Sequence, residues 1–168
     1  FVEAMRREWD ADNAVLPVDQ RLPAVAKSAL LAAMAPAEII DAEGRRPLRE
    51  GHPTQPGDAL VMATSGSTGA PKGVVLTHAA VAASAAATSE RLATTAADTW
   101  LACLPLAHVG GMSVITRALH TGAGLVVHDG FDARAVEAAA HDGATAISLV
   151  ATALQRIDAA LFRVIVLG

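Results

Sequence analysis

Between residues 99 and 167 the chain alternates aliphatic, β-branched runs with alanine-rich stretches, and this alternation constrains the fold more than any other feature. The apolar runs are TWLACLPL, GLVVH, ATAISLV and RVIVL, and the stretches between them are MSVITRALH, ARAVEAAAH and TALQRIDAAL. Strands that alternate with helices predict an α/β fold in which crossovers build a layered, largely parallel sheet flanked by helices.

The first half of the chain predicts a mixture of short elements. The expected helices are VEAMRREW and LPAVAKSALLAAMA, with Pro23 in the first turn of the second, and the expected strands are AVLPV, AEIID, ALVMAT and GVVLT. The segment AEGRR predicts a turn, and REGHPTQPGD, with two prolines and two glycines, predicts a loop. A helix from about Ala79 to Leu92 should follow, with Thr77 as its N-cap.

The composition narrows the class of protein. With 168 residues, 52% of them hydrophobic and 18% charged, the chain suits one globular domain or part of a larger one. The net charge is -4 and the thirteen Lys and Arg residues are scattered, which disfavours nucleic acid as a partner. No apolar stretch approaches the roughly 20 residues of a membrane span. Cys103 is the single cysteine, which excludes an internal disulfide, fits a cytoplasmic protein and predicts a buried strand residue.

One short segment, TSGSTGAPKGV at residues 64–74, has the composition of an anion-binding loop. It does not match the P-loop pattern, because Pro71 stands where the second glycine should be and Gly73 stands where a hydroxyl residue should follow Lys72. The strand-like run GVVLT follows directly, so the segment is predicted to join two strands.

The residues of this loop allow two interpretations. In the first, the glycines at 66, 69 and 73 let main-chain N–H groups converge on an anion, while nearby hydroxyls and the Lys72 ammonium add donors and charge. The hydroxyl residues are Thr64, Ser65, Ser67 and Thr68. In the second, the segment is a hairpin tip whose Ser and Gly residues are only solvated.

All eleven positions of the segment resemble the phosphate-binding signature of the acyl-adenylate-forming superfamily, which includes acyl-CoA synthetases, adenylation domains of peptide synthetases and luciferase. The resemblance implies that the loop grips the β- and γ-phosphates of ATP while a carboxylate attacks the α-phosphorus. It assigns nucleotide contacts to Thr64, Ser65, Gly66, Ser67, Thr68, Gly69 and Lys72. Lys72 would neutralise the leaving pyrophosphate together with Mg²⁺, for which Thr68 is the one candidate ligand in this sequence.

A second segment, LPLAHVGGM at residues 104–112, resembles the next signature of the same superfamily. The resemblance places His108 in the wall of the acid pocket, so that Lys72 and His108 are the predicted catalytic residues. Gly110, Gly111 and Met112 would also contact the acid, with the glycines in a loop, AHVGG, that lets substrate approach the backbone. A hydrogen-bonded loop histidine is the alternative for His108. A general base is disfavoured because a carboxylic acid is already ionised at neutral pH.

A third segment, ISLVATALQRI at residues 147–157, resembles o-succinylbenzoate:CoA ligases of menaquinone synthesis, in which SLVPT is usual and Ala151 here replaces the proline. The resemblance implies that Ser148 and Val150 line the acyl pocket; the alternative is a buried strand. Arg117 could meet the second carboxylate of a diacid. The favoured alternative for Arg117 is a solvated arginine on the surface of a helix.

Together these segments resemble the N-terminal part of an ATP-dependent carboxylic acid:CoA ligase, truncated at both ends and without the small C-terminal domain. The implied co-substrates are ATP and coenzyme A, with a small carboxylic acid as substrate, and a homodimer is compatible with the family. An isolated fragment of this kind should be inactive, because the family's ribose-binding aspartate and catalytic lysine lie in later segments. Two alternatives remain: an adenylation domain that loads a carrier protein, and a non-catalytic nucleotide-binding module. The other histidines show no zinc-ligand spacing.

Overall fold

The computed structural model describes residues 1–49, 51–65 and 71–168. These residues divide into two compact units, Phe1–Ala80 and Val81–Gly168. The helices are α1 (Val2–Asp10), α2 (Ala24–Met34), α3 (His78–Leu92), α4 (Val109–Thr121), α5 (Ala133–His141) and α6 (Ala151–Leu154). The strands are β1 (Glu38–Asp41), β2 (Gly44–Pro47), β3 (Asp58–Ser65), β4 (Pro71–Thr77), β5 (Thr99–Ala102), β6 (Gly124–Val127), β7 (Ala146–Leu149) and β8 (Val164–Leu167).

The first unit contains two antiparallel hairpins, β1–β2 and β3–β4. Helix α2 packs against β4, and the indole Nε1 of Trp9 on α1 donates a hydrogen bond to the Ala59 carbonyl of β3 at 2.8 Å. The β3–β4 hairpin therefore has helices anchored to both of its strands.

The second unit is the parallel sheet that the sequence predicts, with strand order β6-β5-β7-β8. Strands β5 and β7 are the central pair and β7 is buried at every position. Helix α5 packs on one face of the sheet, where Val136 joins a core that includes Leu101 and Ile147. Helix α4 packs against β5 and β7 and uses the alternate residues of those strands, Trp100 and Ser148. The α/β fold with a flanked parallel sheet is confirmed.

Capping residues explain where several helices begin and end. The Thr77 hydroxyl accepts the N–H of Ala80 at 3.1 Å, which confirms the predicted N-cap of α3. Asp132 accepts the N–H of Ala135 at 2.9 Å at the start of α5. Gly122 ends α4 in the left-handed conformation, with φ of 71°. Pro23 stands at the N-cap position of α2 and not within its first turn.

Three predictions about elements are wrong. Instead of a strand, AVLPV makes one isolated bridge from Val15 to Leu60, since Pro17 has no N–H for a ladder. The predicted turn AEGRR is too long: only Ala42 and Glu43 form the turn, and Gly44, with φ of 118°, begins strand β2, which pairs with β1. The predicted helix TALQRIDAAL stops at Leu154, because Asp158 caps a separate 3-10 turn at Ala159–Leu161.

No helix in the described part of the chain combines the length and apolar character that crossing a bilayer requires.

Candidate functional site

The glycine-rich segment joins two paired strands, as its sequence predicts. Strands β3 and β4 run antiparallel, with Thr64 opposite Lys72 and Ser65 opposite Pro71. The Thr64 hydroxyl donates to the Lys72 carbonyl at 3.3 Å across the pair. Because Thr64 and Lys72 lie directly opposite each other, their side chains are on the same face at the base of the loop, whereas Ser65, the next residue of β3, points to the other face. The predicted contacts Gly66, Ser67, Thr68 and Gly69 lie outside the described residues.

The base of the loop exposes a charged group and hydroxyl groups to solvent. Thr64, Ser65 and Lys72 are exposed. None of the ion pairs among the described residues involves Lys72. An exposed ammonium without a carboxylate partner among the described residues, with a hydroxyl group on the same face, can bind a phosphate and release it again.

Gly73 is required by close packing behind the loop. A Cβ atom at Gly73 would lie 2.8 Å from Sδ of Met34 and 2.9 Å from Cγ1 of Val61, both shorter than ordinary contacts. Successive side chains of a strand point to opposite faces, so Lys72 points away from Met34. Helix α2 therefore supports the face of the hairpin opposite to Lys72.

His108 lies beyond the carboxyl end of β5, at the N-cap position of α4. Its carbonyl accepts the N–H of Met112 at 3.0 Å, while its side chain is exposed and makes no capping bond. In the strand order the chain leaves β5 toward β6 and later returns on the other side of β5 to form β7. Ligands of open α/β sheets bind where neighbouring connections diverge in this way. Val150 follows β7 at this edge and is 42% exposed.

The prediction of a loop at Gly110 and Gly111 is wrong, because both residues lie in the first turn of α4. A Cβ atom on Gly111 would lie 2.4 Å from the Pro105 carbonyl oxygen, so this glycine lets the helix pack on the preceding backbone. Gly110 has only an ordinary contact, 3.6 Å to Leu104. Met112 is buried, with 2% of its surface exposed. Gly111 therefore has a structural explanation that does not involve substrate.

The favoured interpretation of Arg117 as a solvated surface residue is also wrong. Arg117 is 4% exposed, because α4 packs this face on the sheet. Its Nη2 atom donates to the Ser148 hydroxyl at 2.8 Å and to the Ser113 hydroxyl at 3.3 Å. Its Cζ atom lies 4.5 Å from the centroid of the Trp100 ring, a cation–π distance. We call these four residues, Trp100, Ser113, Arg117 and Ser148, the arginine cluster.

The arginine cluster carries a charge that no carboxylate balances. Burial lowers the pKa of Arg117 to about 10, which still leaves the guanidinium charged at neutral pH. Within the described residues Arg117 forms no ion pair. Its Nε atom and the Trp100 Nε1 atom are buried donors without an acceptor in this part of the chain. Buried charges are normally paired, so an unpaired one indicates a place for an anion.

Ser148 lies in a buried strand, the alternative to a place in the acyl pocket. Its side chain is 4% exposed and its hydroxyl accepts from Arg117. Sequence analysis missed Trp100 and Ser113. The spacing of four residues between Ser113 and Arg117 on a helix predicts their contact, but nothing local indicates that Trp100 lies under the guanidinium.

The described residues contain no group of three His, Cys, Asp or Glu side chains that could hold a metal ion. His78 packs edge-on against Trp9, with ring centroids 5.2 Å apart. Cys103 is buried as predicted, although it lies one residue beyond the end of β5. Burial raises the pKa of its thiol to about 11, which makes it an inert core residue.

Comparison with known proteins agrees with these features. The family model described as AMP-binding enzyme matches residues 3–164. A 2-succinylbenzoate–CoA ligase of Enterococcus faecalis is 42% identical over 108 residues, which are 61% of this chain and 22% of that ligase. Among solved structures, o-succinylbenzoate coenzyme A synthetase from Bacillus subtilis in complex with ATP and magnesium ion is 30% identical, with a TM-score of 0.60. That comparison covers 73% of this chain and 35% of the synthetase.

A malonyl-CoA ligase bound to methylmalonyl-CoA and AMP is 25% identical with a TM-score of 0.77, over 92% of this chain and 38% of the ligase. The chain thus matches about a fifth of the length of the curated relative and a little over a third of these crystallised ligases. The β3–β4 hairpin and strands β5, β6 and β7 of the parallel sheet lie inside the matched region. Because that region includes nearly every residue, the chain belongs to the AMP-binding enzyme family.

Proposed function

We propose that this chain is the N-terminal part of the AMP-binding domain of an ATP-dependent carboxylic acid:CoA ligase. The enzyme forms an acyl adenylate and then an acyl-CoA thioester. The observation that carries this proposal is the β3–β4 hairpin, in which Lys72, without an ion pair among the described residues, lies opposite the exposed Thr64 at the base of the loop. Family membership supports it, because the superfamily uses this loop on the triphosphate of ATP.

In the first step the substrate carboxylate attacks the α-phosphorus of ATP. The bond from that phosphorus to the bridging oxygen of the β-phosphate breaks, and pyrophosphate leaves with the electron pair. Lys72 neutralises the charge that develops on the leaving group, and Thr64 and Ser65 can donate hydrogen bonds to phosphate oxygens. No proton transfer to the protein is needed, because the acid is already ionised.

Magnesium is proposed to bind together with the triphosphate. The described residues offer no metal-ligand cluster of their own, and Mg²⁺ usually binds through substrate phosphates with only one or two protein ligands. Thr68, the candidate ligand, is outside the described residues. When bound, the ion offsets part of the phosphate charge, which complements the single charge of Lys72.

The arginine cluster supports a substrate with two carboxylates. One carboxylate reacts with ATP, and the second is neutralised by Arg117, directly or through a bridging water. His108 and Val150, at the carboxyl edge of the sheet, are proposed to contact the acyl chain, together with Gly110 and Met112 of α4. A 2-succinylbenzoate-like diacid fits this requirement, whereas a fatty or simple aryl acid leaves the buried charge unbalanced.

Three further statements belong to this proposal. The acyl acceptor is coenzyme A, in line with the ligases that the chain resembles. The enzyme works in the cytoplasm, where ATP and CoA are available. A homodimer is compatible with the family.

The proposal is tested by supplying the complete protein with ATP, Mg²⁺ and a panel of carboxylic acids. Pyrophosphate release and thioester formation are measured with CoA and with a phosphopantetheinyl carrier protein. We expect acyl-CoA from 2-succinylbenzoate and a lower rate from benzoylpropionate, the same skeleton without the ring carboxylate. Transfer only to the carrier protein would identify a carrier-loading domain. Nucleotide binding without pyrophosphate release for any acid would identify a non-catalytic module.

A further inference from the structure

One hydrogen bond connects the Arg117 guanidinium to the parallel sheet. Ser113 lies four residues before Arg117 on the same helix, so its contact at 3.3 Å moves with α4 and cannot fix the guanidinium relative to the sheet. Ser148 lies on β7, and its contact at 2.8 Å spans 31 residues of sequence. The Trp100 ring supports one side of the guanidinium but gives no directional hydrogen bond.

The position of the Ser148 hydroxyl is itself well fixed. Strand β7 pairs with β5 on one side and with β8 on the other, and Ser148 lies opposite Val166. All four residues of β7 are buried. A serine on such a strand has little freedom beyond its χ1 rotamer, so its oxygen is a rigid reference point for a long, flexible arginine side chain.

We infer that Ser148 is a positioning residue, which orients the Arg117 guanidinium toward the second carboxylate of a diacid substrate. The inference rests on the proposed function. In this role Ser148 does not contact the acyl chain itself and acts on the substrate only through Arg117. A functional site gains specificity when hydrogen bonds of this kind lock the side chain that contacts the ligand.

The chemical nature of the serine hydroxyl is essential to this role. A hydroxyl accepts a hydrogen bond from the guanidinium without neutralising its charge, so the charge stays available for a ligand. A carboxylate at the same place would pair with Arg117 and satisfy it internally. Ser148→Asp should therefore remove the preference for dianionic acids although Arg117 is still present.

The test compares variants of the complete protein by one ratio, kcat/KM for 2-succinylbenzoate divided by kcat/KM for benzoylpropionate. We expect Ser148→Ala to lower this ratio about tenfold, as one hydrogen bond to a charged group is lost. Ser148→Asp should bring the ratio close to one, and Ser148→Thr, which keeps a hydroxyl, should restore much of it. The KM for ATP should stay unchanged throughout, which a general structural defect would not allow.

Two serines provide matched controls. Ser113→Ala removes the longer contact to the same nitrogen and should lower the ratio by less than Ser148→Ala. Ser89→Ala removes a serine that is also 4% exposed but has no hydrogen-bond partner among the described residues, and it should leave the ratio unchanged.

The outcomes separate the inference from the proposed function. If the wild-type protein makes acyl-CoA and Ser148→Ala or Ser148→Asp keeps the wild-type ratio, the inference is wrong. It is also wrong if the wild-type protein makes acyl-CoA with no preference for the diacid. If no acid gives acyl-CoA or pyrophosphate with the wild-type protein, the proposed function itself has failed.

Discussion

Two buried charges in the second unit differ in how they are neutralised. The Asp98 carboxylate accepts hydrogen bonds from the Thr95 N–H at 2.9 Å, the Thr145 hydroxyl at 2.8 Å and the Arg163 guanidinium at 2.7 and 3.1 Å. Arg117 has two hydroxyl acceptors and an aromatic ring, with no carboxylate among the described residues. Asp98 is thus paired by its own fold, whereas Arg117 is not.

We interpret Asp98 as a structural charge and propose Arg117 as a binding charge. Burial alone would raise the pKa of Asp98, but the hydrogen bonds from Arg163, Thr95 and Thr145 outweigh it and hold the pKa below its ordinary value. Nothing comparable compensates the burial of Arg117. A buried charge whose hydrogen bonds and opposite charge come from the fold connects the strands and loops around it. A buried charge without an opposite charge in the fold is available to a ligand.

The largest predicted effect follows from removing the unpaired charge. Arg117→Met keeps most of the side-chain volume, so we expect about a 100-fold loss of kcat/KM for 2-succinylbenzoate, as a charge-assisted contact disappears. Activity on benzoylpropionate should change little. The free energy of unfolding should stay equal or rise, because a buried charge without a partner has been removed. Equal losses for both acids would contradict a role for Arg117 in charge recognition.

Removing the paired charge of Asp98 should lower stability and leave the preference between the two acids unchanged. Asp98→Asn should lower the free energy of unfolding by about 2 kcal/mol, since Arg163 is left with a weaker acceptor but is itself partly exposed. Activity per folded molecule should be unchanged for both acids. Denaturant unfolding and steady-state rates measure these effects, and a selective loss of diacid activity would contradict the division between structural and binding charges.

The pH dependence of stability provides a second test of the structural role of Asp98. The folded-state pKa of Asp98 is lowered from its ordinary value of 3.8, so its stabilisation is complete above about pH 5 and is lost as the pH falls through the folded-state pKa. The free energy of unfolding should therefore fall more steeply with acid in the wild-type protein than in Asp98→Asn. Parallel curves for the two proteins would show that Asp98 contributes no such stabilisation.

The exposed charge of Lys72 should give a smaller, salt-dependent effect. Lys72→Ala should slow pyrophosphate release about 10- to 100-fold, equally for both acids, because one charge-assisted contact to phosphate is lost. Added salt should weaken the contribution of Lys72 more than that of buried Arg117. Lys72→Arg, which keeps the charge, is the control. Unchanged pyrophosphate release in Lys72→Ala would remove Lys72 from the proposed mechanism.

His108→Ala should have the smallest effect. The side chain is exposed and forms no ion pair with another described residue. We therefore expect the KM for the acid or the rate of thioester formation to change by less than about tenfold, below the effect of losing a charge-assisted contact. The KM for ATP should not change. Wild-type kinetics with every acid would make His108 a surface residue without a role in catalysis.

The sequence was a good guide where short-range pattern decides the structure. The β-branched run after Gly73 predicted that the glycine-rich loop joins two strands, and Thr77 marked the start of α3. The alternation after residue 99 predicted the parallel sheet. Pattern failed at Gly110 and Gly111, where the low helix propensity of glycine suggested a loop. The close approach of the Pro105 carbonyl, which requires a glycine, outweighs that propensity.

The sequence by itself determined the family signature, the strand–loop–strand that carries Lys72 and the α/β class, because hydrophobic period and turn residues act over a few neighbouring positions. Only the tertiary structure decided that Arg117 is buried, that Trp100 and Ser148 hold it, and that no described carboxylate balances it. The reason is that burial and charge balance depend on residues that β5 and β7 bring together from distant parts of the chain.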